Sequence, residues 1–413
     1  MRGFLKRFNF TILGVFILAF ILGWQVGRRD VAVTWANYKP TVTVQNQEPP
    51  QNINVDFKLF WDTWNLVTQN YWNKKVIDPN KMVYGAISGM VSSLGDPYTM
   101  FLPPTQQKSS KEDLGGSFEG VGIELGFNKD NRLVVVAPLE GTPAQKAGIK
   151  ASDIIVKIAG KDTTNMSLID AVNLIRGAKG TQIALTIFRE GEESTQDFNL
   201  TRDTIVVKSV QLSFKDTSSS KKIAVIKLTR FGALTNDEWN EAVSQILSEG
   251  PAGVILDVRN NPGGFLDSAV FIASEFLDGG DVVLQENSQG QRSSYKVDRV
   301  GKLLKLPVVM LINKGSASAS EIVAGAMQDR KRAALVGEHS FGKGTIQDAQ
   351  DLPGGTGIHI TVARWLTPDG RWVNDTTGLE PDVKVEIPKP ADGQPVDATQ
   401  DIQLDRALEI LDK

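Results

Sequence analysis

The segment Gly315–Ile322 reads Gly-Ser-Ala-Ser-Ala-Ser-Glu-Ile, and it follows Val308–Ile312, an apolar run with the length of a buried strand. After the serines, apolar residues recur at helical spacing, at Ile322, Val323, Ala326 and Met327. The serines are therefore predicted to lie where a strand turns into a helix. A helix N-terminus behind such a turn stabilises developing negative charge. Ser318, the middle hydroxyl of the repeat, is a candidate nucleophile there, provided that a base takes its proton.

The candidate base is Lys343, which lies in the glycine-flanked stretch Phe341–Gln347, Phe-Gly-Lys-Gly-Thr-Ile-Gln. A lysine acts as a base when burial strips its solvation and lowers its pKa from about 10.4 toward neutrality. Gln347 is placed to hold the amine by a hydrogen bond. The chain also has two histidines, His339 and His359, so a Ser/His/Asp triad stays open as an alternative.

Simpler interpretations of the same residues stay open as well. A Ser/Ala-rich turn before a helix is often only a helix cap, so Ser316 or Ser320 could cap the helix and leave Ser318 free. A lone lysine is most often a solvated surface charge. The stretch 337–343 also approaches a phosphate-binding loop, but such a loop needs Ser or Thr after the lysine, where Gly344 stands. Nucleotide binding is therefore a weaker alternative.

The serine and lysine motifs together resemble the carboxyl-terminal processing peptidases, also called tail-specific proteases. These are serine peptidases with a Ser/Lys dyad and an embedded PDZ domain. The resemblance implies that Ser318 is the nucleophile, that Lys343 is the general base and that Gln347 positions the lysine. It extends over residues 55–410, which is most of the chain.

The composition is that of an ordinary globular protein. The 413 residues suffice for two or three domains, with 41% hydrophobic and 23% charged residues. A net charge of −3 does not indicate nucleic-acid binding. The absence of cysteine excludes disulfides, cysteine catalysis and thiolate metal sites. Because the two histidines do not form a His-x-x-x-His pattern, a catalytic zinc is not expected, and we predict no metal and no cofactor.

Residues 1–27 are predicted to form an N-terminal transmembrane helix. Three basic residues precede the apolar run Phe10–Gly27, whose helical length of about 27 Å approaches the bilayer core. Basic residues in front favour an inside N-terminus, which places the rest of the chain on the extracytoplasmic face, in a bacterial periplasm or at the cell surface. Arg28 and Arg29 beyond the run weaken this asymmetry. A cleaved signal peptide is the alternative. Residues 28–54, polar and proline-containing, are predicted to be a stalk linker.

Residues 55–111 are predicted to form a helical N-terminal region. Aromatic and apolar residues recur at helical spacing in two stretches, and Gly95–Thr99, Gly-Asp-Pro-Tyr-Thr, ends them as a turn. The aromatic residues are interpreted as core or as a dimer contact, so a homodimer is considered.

Residues 112–203 resemble a PDZ domain, a small β-barrel-like module. A glycine-containing loop at Phe118–Leu125 runs into a strand, Ser167–Ile175 is predicted as a helix and Thr181–Arg189 as the final strand. The glycines allow the N–H groups of Val121, Gly122 and Ile123 to converge on a peptide carboxylate, while the peptide pairs with the strand edge. The expected partners are therefore protein substrates with free C-terminal tails.

Residues 204–390 show strand–helix alternation, which predicts a layered α/β core with mainly parallel strands. The resemblance implies a ClpP/crotonase-like peptidase fold. A turn, Asn-Asn-Pro-Gly-Gly at 260–264, follows a predicted strand, and its unhindered N–H groups suit an oxyanion. The resemblance assigns the oxyanion to the N–H groups of Gly263 and Ala319. Asp257 and Arg259 are expected to form an ion pair. Residues 358–383 are expected to close the sheet, and residues 391–413 to form a linker and a terminal helix.

The sequence thus predicts a multidomain α/β protein, a membrane-anchored serine endopeptidase that captures C-terminal tails and cleaves peptide bonds through an acyl-enzyme. An inactive PDZ scaffold that only binds tails is the alternative from another functional class.

Overall fold

The computed structural model describes residues 31–36, 39–44, 56–374, 376, 378–387 and 401–413. The predicted membrane segment Phe10–Gly27 lies outside these residues. Among the helices that are described, none combines the length and the apolar character that crossing a bilayer requires. The chain divides into two units, residues 1–79 and residues 80–413.

The first unit contains a hairpin and a helix. Strand β1 (Val31–Ala36) pairs antiparallel with β2 (Lys39–Val44), within the segment expected to be a stalk. Helix α1 (Lys58–Asn70) is followed by a short 3-10 turn (Lys74–Val76), and α1 was predicted from its apolar spacing. No residue of α1 is buried, and Trp61 is 56% exposed. The described part of this unit therefore does not bury the aromatic residues in a core.

Helix α2 (Pro79–Ser92), which was predicted, belongs to the second unit apart from Pro79, and β3 (Met100–Leu102) and α3 (Pro104–Gly115) follow it. Helix α3 was not predicted, because its polar sequence carries no apolar period. Proline at its first position favours its start, and Gly116, with φ of 69°, ends it in the left-handed conformation.

A module of mainly antiparallel strands follows. Its elements are β4 (Ser117–Gly120), β5 (Ile123–Phe127), β6 (Leu133–Pro138), α4 (Pro143–Lys146), β7 (Ile154–Ile158), β8 (Lys161–Asp162), α5 (Leu168–Ile175), β9 (Gln182–Phe188), β10 (Gln196–Thr201) and β11 (Asp203–Val206). Its main sheet has the order β10-β9-β7-β6-β5, with β8 on β7, while β4 and β11 form a separate ribbon. The expectation that 181–189 is the final strand is wrong, because the mostly polar β10 adds one more.

The remaining elements form the core of the second unit. They are β12 (Val210–Asp216), β13 (Lys222–Leu228), α6 (Thr235–Glu249), β14 (Gly253–Asp257), α7 (Leu266–Ser274), β15 (Asp281–Asn287), β16 (Arg292–Lys296), β17 (Val308–Ile312), α8 (Ala319–Asp329), β18 (Ala334–Gly337), β19 (Thr345–Leu352), β20 (Thr356–Leu366), β21 (Val383–Lys384) and α9 (Ile402–Asp412).

The central sheet has the order β12-β13-β14-β17-β18-β21, and every ladder after the antiparallel β12–β13 pair is parallel. This confirms the predicted, mainly parallel α/β core. Side chains alternate between the two faces of the sheet. Ala224 and Ile226 of β13 pack with α6, α7 and α8, whereas Ile223 and Val225 pack with α9. Since both faces are covered, the central strands are continuous apolar runs.

A second, antiparallel sheet has the order β16-β15-β20-β19, and β3 pairs with β20. The expectation that residues 358–383 close the sheet is therefore wrong for β20, which lies in this antiparallel sheet. Among the described residues after Lys343, only the two-residue β21 joins the parallel sheet, beside β18. The chain between β18 and β19 crosses from one sheet to the other, and it carries Lys343.

Candidate active site

The predicted strand–turn–helix around the serines is confirmed. All five residues of β17 are buried, and α8 begins at Ala319, directly after Ser318. Ser318 has φ of 53° and ψ of −113°, an unusual conformation for a residue with a Cβ. Such a conformation costs on the order of 1–3 kcal/mol and persists only where the surroundings enforce it. The side chain is half-buried, so it stays accessible at the end of the sheet.

The two flanking serines fasten this turn to the end of β14. Ser316 is fully buried and its hydroxyl donates to the carbonyl oxygen of Val258 over 2.8 Å. The hydroxyl of Ser320 donates to the carbonyl oxygen of Asn261 over 2.9 Å. The expectation that Ser316 or Ser320 caps the helix is wrong, because Ser318 itself occupies the N-cap position.

One buried carboxylate joins the serine turn to the lysine segment. Oε2 of Glu321 accepts the backbone N–H of Ser318 over 2.7 Å and that of Lys343 over 2.9 Å. Its Oε1 accepts the hydroxyl of Ser340 and the N–H of Gly342, both over 2.6 Å. Burial raises the pKa of Glu321, and these four hydrogen bonds oppose that rise. The two candidate catalytic residues therefore share one acceptor atom through their backbones.

The segment that carries Lys343 is fixed at both ends. The N–H of Phe341 donates to the carbonyl oxygen of Ser316 over 3.0 Å. The carbonyl oxygen of Lys343 accepts the indole N–H of Trp365 over 2.8 Å. A Cβ on Gly344 would lie 1.5 Å from the carbonyl oxygen of Val373, so glycine is required at this close approach.

The Lys343 amine lies over an aromatic ring. Its Nζ is 5.0 Å from the centre of the Tyr98 ring. Burial lowers the pKa of Lys343, while the carboxylates of Asp96 and Glu321 oppose that change. Nowhere in the described chain does a hydrogen bond join Nζ to Ser318. The sequence predicted a sheltered amine, and the structure adds its aromatic neighbour.

Gln347 lies on β19, and the hydrogen bonds of its side chain go to residues other than Lys343. Its Nε2 donates to the hydroxyl of Thr345 over 2.8 Å and to that of Thr361 over 3.1 Å. Among the described residues it forms no hydrogen bond with Lys343. Its positioning role stays a prediction.

The histidines do not assemble a triad in the described chain, where neither side chain forms a hydrogen bond. His359 lies on β20, and burial followed by the positive charge of Lys343 lowers its pKa. His339 lies in the segment between β18 and β19. The phosphate-loop alternative is also disfavoured, because strand β19 rather than a helix begins at Thr345.

The predicted oxyanion groups are neighbours. A Cβ on Gly263 would lie 2.9 Å from both the Ala319 nitrogen and the Ser318 Cβ. The N–H of Gly263 donates to Oδ1 of Asn261 over 2.9 Å, so this donor is engaged. The N–H of Ala319 has no acceptor within the ranges that the structure covers. One of the two predicted donors is therefore open and the other is held by Asn261.

The predicted carboxylate loop precedes β5, which lies at the edge of its sheet beside α5. Gly122 has φ of 77°, and a Cβ there would lie 2.4 Å from the Thr142 Cβ. The carbonyl of Val121 accepts the Ala144 N–H over 3.0 Å. The N–H groups of Val121 and Gly122 find no acceptor in the described part of the chain, and Ile123 begins the edge strand. The loop and an unpaired strand edge thus lie together, as peptide addition requires.

Sequence reasoning missed Glu321, Asp96 and Tyr98. A Ser-x-x-Glu pattern before an apolar run was visible at Ser318–Glu321 and is typical of a capping box. Asp96 and Tyr98 carried no such signal, since they reach Lys343 from a distant part of the chain.

Comparisons with known proteins agree with this architecture. The family model of peptidase family S41 matches residues 222–385, that of the PDZ domain matches residues 109–188, and that of the activating protease CtpB N-terminal domain matches residues 27–104. A solved structure from Bacteroides fragilis assigned to the S41 proteases is 16% identical, with a TM-score of 0.54 over 89% of this chain and 99% of that one. This likeness supports the fold.

Two curated relatives are closer in sequence. Carboxy-terminal processing protease CtpA of Bacillus subtilis is 40% identical over 78% of this chain and 67% of the relative. A carboxyl-terminal-processing protease of Synechocystis is 36% identical over 86% of each chain. On these matches the chain belongs to peptidase family S41, as a carboxyl-terminal processing serine protease that carries a PDZ domain.

Proposed function

We propose that this protease cleaves peptide bonds with a dyad of Ser318 and Lys343, on substrates captured by their free C-terminal tails. The observation that carries the proposal is the Glu321 carboxylate, whose Oε2 accepts the backbone N–H of both residues. This shared acceptor holds the backbones of the nucleophile and the base close together, and covalent catalysis requires the two residues to be positioned in this way.

In the proposed mechanism, neutral Lys343 takes the proton of Ser318 while Oγ attacks the scissile carbonyl. The resulting lysinium protonates the leaving amine, and an acyl-enzyme remains. Water then attacks the ester with the lysine again as base. Since burial lowers the pKa of Lys343, the neutral amine is more populated than on an exposed lysine.

The N–H groups of Ala319 and Gly263 are proposed to stabilise the oxyanion. The Gly263 N–H must first exchange its Asn261 acceptor for the substrate oxygen. The proximity of Gly263 to the Ala319 nitrogen supports the pairing of the two donors. Gln347 is proposed to contact the amine once the amine turns toward Ser318.

The tail is proposed to bind along β5, with its carboxylate at the N–H groups of Val121, Gly122 and Ile123. The positive φ of Gly122 and the edge position of β5 support this mode.

We further propose an extracytoplasmic location, with a single N-terminal membrane anchor at Phe10–Gly27. The apolar run and the preceding basic residues support it. The exposed aromatic residues of α1 support a homodimer contact.

The test is cleavage of a tailed protein substrate by the parent chain, Ser318→Ala and Lys343→Ala. Each substitution is expected to lower kcat/KM on the order of 10³-fold or more. Ser288→Ala and Lys314→Ala, at exposed positions, serve as matched controls and should cleave like the parent. Undiminished cleavage by Ser318→Ala would exclude the dyad. A parent that binds tails without cutting would instead support the scaffold alternative.

A further inference from the structure

The turn Gly95–Thr99, far from Lys343 in sequence, is built into the candidate site. Oδ1 of Asp96 accepts the N–H of Tyr98 over 3.0 Å, and its Oδ2 accepts the hydroxyl of Thr99 over 2.7 Å. The Thr99 Oγ1 in turn accepts the N–H of Thr361 on β20 over 3.0 Å. The following strand β3 pairs with β20 as well. The turn is therefore fastened to the sheet that carries Gln347.

This turn presents two complementary surfaces to a cation. The face of the Tyr98 ring lies 5.0 Å from Nζ of Lys343, within the range of a cation–π interaction. The carboxylate of Asp96, half-buried in the same turn, attracts the same amine. Both interactions favour the charged ammonium over the neutral amine.

Titratable groups from three parts of the chain influence Lys343: the turn Gly95–Thr99, α8 and β20. Burial opposes the charge of Asp96, but hydrogen bonds from Thr361, Thr99 and Tyr98 and the charge of Lys343 outweigh it and hold its pKa low. Glu321 of α8 adds a second negative charge. Burial and, after it, the positive charge of Lys343 lower the pKa of His359 on β20. Asp96 is therefore an ionised partner at neutral pH.

We infer that Asp96 and Tyr98 form a resting site for the protonated Lys343 side chain and hold it out of hydrogen-bonding distance of Ser318. They are positioning residues that act through the lysine, and the inference rests on the proposed role of Lys343 as base. The amine must lose its proton and leave the Tyr98 ring before it can serve Ser318. The resting site thus sets the pH at which the protease becomes active.

The first test is the pH dependence of kcat/KM for Asp96→Asn in the full chain. Asparagine keeps an Oδ1 acceptor for the Tyr98 N–H and removes the negative charge. The acid limb of the Asp96→Asn profile is expected to move to lower pH. At the acid end, the variant should therefore retain several-fold more of its plateau activity than the parent. An acid limb that coincides with that of the parent, whatever the plateau, would overturn the inference.

Two Tyr98 variants separate the ring from the hydroxyl. Tyr98→Leu removes the aromatic face and should move the acid limb in the same direction as Asp96→Asn. Tyr98→Phe keeps the face and should leave the limb in place. Asp348→Asn, which replaces an exposed carboxylate on β19, is a control that should not move it. A limb that moves equally in Tyr98→Phe and Tyr98→Leu would contradict a cation–π contact.

A second measurement does not depend on turnover. Lys343 is acetylated with acetic anhydride across a pH series in Ser318→Ala, with and without Asp96→Asn, and the modified peptide is quantified by mass spectrometry. Only the neutral amine reacts, so the midpoint reports the lysine ionisation directly. The midpoint is expected at lower pH without the Asp96 carboxylate, and an unchanged midpoint would refute the resting site. If Ser318→Ala still cleaves substrate, the proposed dyad fails while this midpoint still tests Asp96.

Discussion

Glu321 is the residue on which the candidate dyad depends most directly. It is fully buried, and its two oxygens accept four donors from the serine turn and from the segment that carries Lys343. The left-handed φ of Ser318 is unfavourable by itself, so the acceptor at its N–H helps to keep the residue in this conformation. A buried carboxylate with this many partners specifies one arrangement of the two segments.

Replacing Glu321 with Gln is therefore expected to lower both stability and activity. The amide supplies one oxygen and turns an NH₂ group toward donors, which leaves buried N–H groups without an acceptor. Each such group costs about 1–3 kcal/mol. Thermal unfolding and kcat/KM are the readouts, with Glu193→Gln at an exposed position as the matched control. A Glu321→Gln protein that unfolds at the parent's temperature would contradict the proposed role of Glu321 in joining the serine turn to the segment that carries Lys343.

At this scale the sequence predicted the residue types well and their contacts less well. Ser318 and Lys343 could be selected because a strand–turn–helix and a glycine-flanked lysine are local patterns. The engagement of the Gly263 N–H by Asn261 depends on a side-chain rotamer, and the approach of Tyr98 to Lys343 depends on long-range packing. Neither of these two contacts produces a periodic pattern in the sequence from which it could be predicted.

Helix α9 covers one face of the parallel sheet, opposite to the face on which α6, α7 and α8 pack. Arg259, at the end of β14, forms the expected ion pair with Asp257 over 2.7 Å, which confirms that prediction. The same guanidinium also reaches Asp401, the N-cap residue of α9, over 2.7 Å. Burial opposes the charge of Arg259, but the two carboxylates outweigh it and raise its pKa. The arginine thus fastens α9 to the sheet.

Asp401→Ala is expected to loosen α9 while the Asp257–Arg259 pair persists. The substitution removes the acceptor for the Leu404 N–H, a helix cap worth about 1 kcal/mol, together with the ion pair to Arg259. Backbone hydrogen exchange in α9 should be faster in Asp401→Ala than in the parent chain, while exchange in β17 should stay unchanged. Asp405→Ala, an exposed carboxylate one turn further along the helix, is the control. Parent-like exchange in α9 of Asp401→Ala would show that apolar packing alone holds the helix.

Elements with strong apolar patterns were predictable to within a few residues. The strand Val308–Ile312 has the predicted bounds, because parallel strands buried on both faces are unbroken apolar runs. Helix α3 and strand β10 escaped prediction because their sequences are mostly polar. The second sheet was missed because strand pairing depends on tertiary contacts that local patterns do not encode.

For the whole molecule, the order of the modules could be predicted from the resemblance and from the alternation of strands and helices. What could not be predicted is that the turn at Gly95–Thr99 reaches the lysine, since it precedes the PDZ region in sequence. The candidate active site is thus assembled from four separate parts of the second unit, which are the turn Gly95–Thr99, the turn at 260–264, the serine turn and the segment that carries Lys343.

Tail capture is tested on the full-length Ser318→Ala chain, which should bind without cutting. A peptide with a free C-terminus should bind at least about tenfold more tightly than its amidated form, because amidation removes charge-assisted hydrogen bonds worth about 1.5–3 kcal/mol. Fluorescence anisotropy gives both Kd values, and a peptide of scrambled sequence with a free C-terminus controls for side-chain contacts. Equal Kd values for the free and amidated peptides would exclude a carboxylate at the Val121–Ile123 loop.

The central claim is that Lys343, made neutral by burial, activates Ser318. It is tested by the pH dependence of Ser318 acylation by a fluorophosphonate, followed by mass spectrometry in the parent, Lys343→Ala and His359→Gln. We expect the parent rate to rise with pH through one ionisation below the ordinary lysine pKa, because burial lowers the pKa of Lys343. The His359→Gln rate should follow the parent, and Lys343→Ala should lose this dependence and nearly all of the rate. Acylation of Lys343→Ala at the parent rate and with the parent pH dependence would contradict the claim.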